Sequence, residues 1–148
     1  MHIYLDGDGC PVVDETLALA KEFHLPCTIL CDTSHRIERD GANTYVCSKG
    51  ADSVDFTLVN MISAGDLVIT QDYGLAAMCL ARSAAVLHQD GFFYTPENID
   101  SLLMMRHTSA KVRRAGGRFH ATPKRTREQN QAFSQTLKDF LNQKTRLG

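Results

Sequence analysis

No stretch of this sequence approaches the roughly 18 consecutive apolar residues of a membrane-spanning helix, so no transmembrane segment is expected. The opening Met-His-Ile-Tyr-Leu-Asp lacks a basic region followed by an apolar run, so no secretory signal is expected and the reading is cytoplasmic. Disulfide frameworks are disfavoured as well. The five cysteines (Cys10, Cys27, Cys31, Cys47, Cys79) form an odd set. No two of them have C-x-x-C spacing and no histidine pair accompanies them, which argues against structural zinc. Cys27 and Cys31 flank the apolar run Thr28-Ile29-Leu30 and Cys47 closes another, positions where a free thiol acts as a small core residue. Repeats, low-complexity tracts and convincing linkers are also missing. The 148 residues therefore read as a single domain, 1–148.

What is present is globular in composition, 43% hydrophobic and 22% charged. The formal net charge of −1 conceals an asymmetry: residues 1–105 balance to −10, and a basic C-terminal helical region, about 106–148, balances to +9. Such a split suggests a polyanion held near an acidic core, although the two parts can also neutralise each other within the fold.

Ile3-Tyr4-Leu5 predicts a buried strand that runs into Asp6-Gly7-Asp8-Gly9, a turn tolerant of unusual backbone angles. Pro11 suits a first helical turn, and Val12, Val13, Leu17, Ala20 and Phe23 then recur at helical spacing until His24-Leu25-Pro26. Cys27–Cys31 reads as a second strand, Asp32 to Ala42 as a surface loop and Thr44–Cys47 as a third strand. Asp52 is placed to cap a helix whose apolar face is Val54, Leu58, Met61 and Ile62, with Gly65 as its stop. Asp66–Thr70 is the clearest strand, followed by a helix from Tyr73 to about Arg82 and a strand at Ala84–Leu87. Pro96 opens a helix to about Arg106, and Arg127 to about Gln143 forms the last, with Phe133, Leu137, Phe140 and Leu141 on one face. Near-continuously apolar strands alternating with helices predict a three-layer α/β fold: a mostly parallel sheet flanked by helices.

In open parallel sheets, ligands bind beyond the C-terminal ends of the strands. Asp6 and Asp8 follow the first strand there, and Asp72 follows the Leu67–Thr70 strand. Asp52 and Asp55 fall in the first turn of the intervening helix, whose N-terminus opens on the same edge. Carboxylates gathered on one edge repel unless a cation offsets them, and Mg²⁺ or Mn²⁺ suits oxygen-only surroundings. Asp6 is the most telling, because a carboxylate directly after a buried apolar run has little structural purpose. Asp52 also reads as a helix cap, Asp55 as a dipole partner and Asp66 as a turn residue away from this edge. Cys10 lies between the acidic loop and the following helix, where packing or loop geometry is its expected role.

Asp6-Gly7-Asp8-Gly9-Cys10-Pro11-Val12 resembles the D-x-D-x-C-P-V opening of the YaiI/YqxD family of uncharacterised bacterial proteins. Gly50-Ala51-Asp52-Ser53-Val54-Asp55 is similar to that family's G-x-D-x-x-D, and Asp66–Asp72 with Leu75-Ala76 to its D-L-V-I-T-x-D-x-x-L-A. Tyr94-Thr95, Asn98-Ile99, Arg106, Arg113 and Gly116 extend the resemblance over nearly the whole chain. The family usually has alanine where Gly7 and Gly9 stand, and its Gly-Pro-rich segment corresponds here to Arg118–Pro123. The resemblance implies a layout like that of PIN-like domains, nucleases whose strand-end acids bind Mg²⁺ or Mn²⁺. Asp6, Asp55 (or Asp52) and Asp72 then match their catalytic acids.

The expected function is metal-dependent phosphodiester hydrolysis, with RNA as the substrate. Asp6, Asp8, Asp52, Asp55 and Asp72 are the candidate metal ligands and Asp6, Asp55 and Asp72 the candidate catalytic residues. Arg106, Lys111, Arg113 and Arg114 are the candidate phosphate contacts. Two alternatives stand beside it. One is a non-catalytic RNA- or protein-binding domain. The other is a haloacid-dehalogenase-type phosphatase with Asp6 as nucleophile and Asp8 as acid/base, which also needs a phosphate-binding lysine that Lys49 supplies poorly.

Overall fold

The computed structural model describes residues 1–33, 36–47, 53–114 and 124–147, and excludes the side chains of residues 53, 106–114 and 147. The order of elements is β1 (Ile3–Asp6), α1 (Val13–Glu22), β2 (Cys27–Asp32), β3 (Asn43–Cys47), α2 (Ser53–Met61), β4 (Leu67–Ile69), α3 (Tyr73–Ala81), β5 (Ala85–Leu87), β6 (Phe93–Tyr94), α4 (Pro96–Arg114) and α5 (Arg127–Leu147). The strands form one sheet in the order β3-β2-β1-β4-β5-β6. Its pairs are parallel except for β5 with β6, which run antiparallel with Val86 opposite Tyr94 and Leu87 opposite Phe93. The architecture is the expected three-layer α/β arrangement.

Period-two alternation along the strands explains why both faces need cover. Ile3, Leu5, Ile29, Leu67, Ile69 and Leu87 point to one face, where α1 and α5 seal them with Val13, Leu19, Phe133, Leu137 and Leu141. Tyr4, Leu30, Val68 and Val86 point to the other, under Leu58 and Ile62 of the α2 segment, Leu75, Ala76 and Cys79 of α3, and Ile99 of α4. Cys27, Cys31, Cys47 and Cys79 are free and buried, serving as the small core residues expected of them.

Three helix boundaries and one strand differ most from the sequence reading. The first helix begins at Val13 rather than Pro11, after a turn, and Val12 precedes it without a side-chain cap. α4 runs on to Arg114 and α5 to Leu147, because polar faces hide the helical period there. The short β6 was not expected, since two residues cannot display alternation. Gly65 adopts φ +88 in the turn after α2, and Asp66 accepts there from the backbone N–H of His2 (3.0 Å) and Ser63 (2.9 Å), the turn role assigned to it. Among the described residues no helix is long and apolar enough to cross a membrane.

Candidate functional site

Chain order in this sheet reverses between β1 and β4: β1 leads outward to β2 and β3 on one side, and β4, β5 and β6 follow on the other. Crossovers diverge at such a point and leave a crevice beyond the strand ends. Asp6 closes β1 at that crevice, paired in register with Leu30, and is 9% exposed. By alternation it shares a face with Tyr4, and Thr70 shares a face with Val68, so the two side chains meet. The Thr70 hydroxyl donates to Asp6 Oδ2 at 2.8 Å and accepts from the Asp72 backbone N–H at 3.0 Å. Asp72 in turn caps α3, its Oδ1 accepting from Leu75 N–H at 3.1 Å. One buried hydroxyl thus ties the acid after β1 to the acid after β4.

Burial is the main reason that the Asp6 carboxyl is pushed up to about 6; the charges of Asp72 and Asp8 add to the effect, while the Thr70 bond and the Asp8 N–H oppose it. The turn after β1 lies close against β2, with Gly7 N–H donating to Leu30 C=O at 2.8 Å. A Cβ on Gly7 would stand 2.9 Å from both Ile29 Cγ2 and that carbonyl oxygen, so any side chain at this position requires the turn to move outward. Cys10 packs against the α1 side of the core, and burial pushes its thiol up to about 11, which fits packing rather than nucleophilic chemistry.

The predicted residues divide into three groups. Asp6, Asp8 and Asp72 are brought together: Asp6 and Asp8 line one narrow cleft with Cys10, Thr70, Gln71 and Gln89, and Asp72 acts electrostatically on Asp6. Asp55 stands in the first turn of α2, on the side of the sheet that α2 and α3 cover, and is not among the residues that line the Asp6 cleft. Asp52, and the side chains of Arg106, Lys111, Arg113 and Arg114, lie outside the described residues. Among the described residues, no three His, Cys, Asp or Glu side chains form a cluster closed enough to hold a metal ion. Apart from the Cys10 thiol, the polar side chains of the cleft offer oxygen donors around a buried carboxylate whose neighbours oppose its ionisation, chemistry that suits a hard cation.

Several contributors were missed in the sequence. Thr70 is one, although its place at a strand end before Gln71-Asp72 was a usable signal. Asp32 is another, a carboxylate at the end of β2 on the same edge. The turn between β5 and β6 is a third. Arg125 binds Asp90 and the Gln89 carbonyl through its guanidinium and Asn130 Oδ1 at 2.6 Å, so the start of α5 fixes the turn that supplies Gln89. Gly91 in that turn has φ +90 and lies against α5, where a Cβ would stand 3.1 Å from Ala132 C=O.

Comparison with known proteins agrees with the motifs that form this edge. The model of a family described as uncharacterised BCR, YaiI/YqxD family, matches residues 4–143. A UPF0178 protein of Exiguobacterium sibiricum is 46% identical over 98% of this chain and 99% of its own length. Similar proteins in Alkaliphilus oremlandii (43% identical over 97% of this chain and 92% of the relative) and Enterococcus faecalis (40% over 95% and 97%) bear the same UPF0178 designation. No solved structure matches the chain significantly. The acid-bearing turn, the strand-end Thr70-Gln71-Asp72 and all but the last turn of the covering helices fall within the matched span, and the chain belongs to the YaiI/YqxD family.

Proposed function

We propose that this edge binds Mg²⁺ or Mn²⁺ and hydrolyses phosphodiester bonds in RNA, in the manner of PIN-like nucleases. The observation that carries this reading is the buried Asp6 at the chain-order reversal, tied through the Thr70 hydroxyl to the Asp72 backbone. Asp6, Asp8, Asp55 and Asp72, with Asp52, would hold the cation. When bound, it supplies charge stabilisation at the phosphate and a lowered pKa for an attacking water. The protein's own residues set the geometry. Thr70 fixes the carboxylate plane of Asp6, capping of α3 fixes Asp72, and the turn lying on β2 limits where Asp8 can reach. Arg106, Lys111, Arg113 and Arg114 would grip phosphates without reading sequence.

The phosphatase alternative is less well supported, because no lysine is among the described residues that line the Asp6 cleft. The decisive experiment is cleavage of end-labelled single-stranded RNA in Mn²⁺ by the full chain and by Asp6→Asn. Cleavage that disappears in Asp6→Asn supports the reading. Wild-type protein that binds the RNA without cutting it supports the non-catalytic alternative, and identical cleavage by both proteins ends the assignment.

A further inference from the structure

The turn from His88 to Phe92 projects beyond the same strand ends as the acids, and its aromatic rings have no part in the hydrolytic reading. His88 and Phe92 stack with ring centroids 4.4 Å apart and planes 14° from parallel. Tyr94 meets both rings edge-on, at 5.8 Å and 5.4 Å, and Tyr73, the residue after Asp72, meets Tyr94 edge-on at 5.9 Å. The inner three are held in place: Tyr94 is buried and its hydroxyl donates to the Thr70 carbonyl at 3.2 Å, His88 is 8% exposed, and Tyr73 packs against the core. Phe92 alone is substantially exposed, at 37%. Since His88 covers one of its faces, that exposure falls on the outer face and rim.

Single exposed apolar residues are ordinary on protein surfaces. Phe92 differs in the rigidity of its mount. His88 N–H donates to Phe92 C=O at 2.8 Å, Gly91 N–H to His88 C=O at 2.9 Å and Asp90 N–H to His88 Nδ1 at 3.0 Å. Arg125 clamps the outside of the turn through Asp90 and Gln89, and Gln89 reaches the Asp6 cleft. A flat ring held in advance beside a candidate phosphate site loses little freedom on binding, and aromatic side chains of this kind are sequence-tolerant stacking surfaces for unpaired bases.

We infer that the outer face of Phe92, backed by His88, is a stacking platform for one unpaired nucleobase of a strand whose backbone lies at the Asp6–Asp72 edge. This rests on the nucleic-acid reading above and specifies the substrate as single-stranded. The test measures binding of a short fluorescein-labelled RNA by the full chain in Ca²⁺, together with the same RNA carrying an abasic residue at each position in turn. Wild type should lose about tenfold in affinity at one abasic position, and Phe92→Ala should lose about the same on intact RNA while becoming indifferent to that position. Phe92→Trp should bind as well as wild type, and melting curves should show each variant folded. Wild type that binds RNA but tolerates every abasic position equally overturns the platform while leaving the nucleic-acid reading intact, and needs no variant to fold. Equal affinity of Phe92→Ala and wild type does the same. Wild type that binds no RNA overturns both.

Discussion

Asp6 is the residue where folding and function pull in opposite directions. Burial, with Asp72 and Asp8 nearby, holds its carboxyl up to about 6, above the ordinary aspartate value, so the metal-free fold favours the protonated form. The stabilising contribution of that form is fully present below about pH 4 and is lost as pH rises through about 6. At neutral pH the ionised side chain costs on the order of 3 kcal/mol relative to an unperturbed aspartate. Asp6→Asn should therefore raise the melting temperature of metal-free protein at pH 7 and flatten its change between pH 4 and 7, as followed by circular dichroism in a chelator. Mn²⁺ should reverse the ranking by stabilising wild type and leaving Asp6→Asn unmoved. A wild type that melts identically at pH 4.5 and 7 without metal removes the premise. Thr70 makes a separate prediction. Thr70→Val deletes a donor to Asp6 and an acceptor for Asp72 N–H, which should cost about 1–3 kcal/mol in denaturant unfolding, whereas Thr70→Ser should retain most of it.

At the scale of elements, the site is an assembly of strand ends, and strand ends were what the sequence disclosed best. β1, β2 and β4 were legible because they are buried on both faces and read as apolar runs. Asp6 and Asp72 were legible because a carboxylate directly after such a run is conspicuous. The Thr70 bridge was not, since it depends on β1 and β4 being neighbours, a pairing between segments 64 residues apart. The Gln89–Asp90 turn was hidden for a similar reason: the antiparallel β6 that forms it has only two residues and its clamp, Arg125, lies 35 positions beyond Asp90. That turn yields the element-scale prediction. Gly91→Ala places a Cβ against the backbone of α5 at a positive φ, so it should destabilise the protein by about 1–3 kcal/mol. Hydrogen exchange should show faster opening in residues 88–92 and in the first turns of α5, with β1 and β2 protected as before; uniform exchange across the sheet would argue against a local joint.

For the molecule as a whole, the charge division between −10 in residues 1–105 and +9 in residues 106–148 makes two outcomes distinguishable. If the basic part guides a phosphate backbone, replacing Arg113 and Arg114 together by alanine should weaken binding of unrelated single-stranded RNAs about equally and flatten the dependence on salt, with Mn²⁺ binding unchanged. If it serves to neutralise the acidic part, the same double variant should instead melt lower and bind RNA as wild type does. Filter binding and thermal melts on the two proteins separate these cases. The clamp described at Arg125 has a further consequence, for the order in which the molecule comes into being. Chains are made from the N-terminus, so β1 and its aspartates emerge early, whereas Arg125, Phe133, Leu137 and Leu141 emerge only after more than a hundred residues have been joined. Until then α1 alone covers that face of the sheet and the 88–92 turn lacks its Arg125 clamp. A chain extended only as far as β6 therefore already holds Asp6, Thr70 and Asp72 but lacks the anchor of the turn that brings Gln89 beside them.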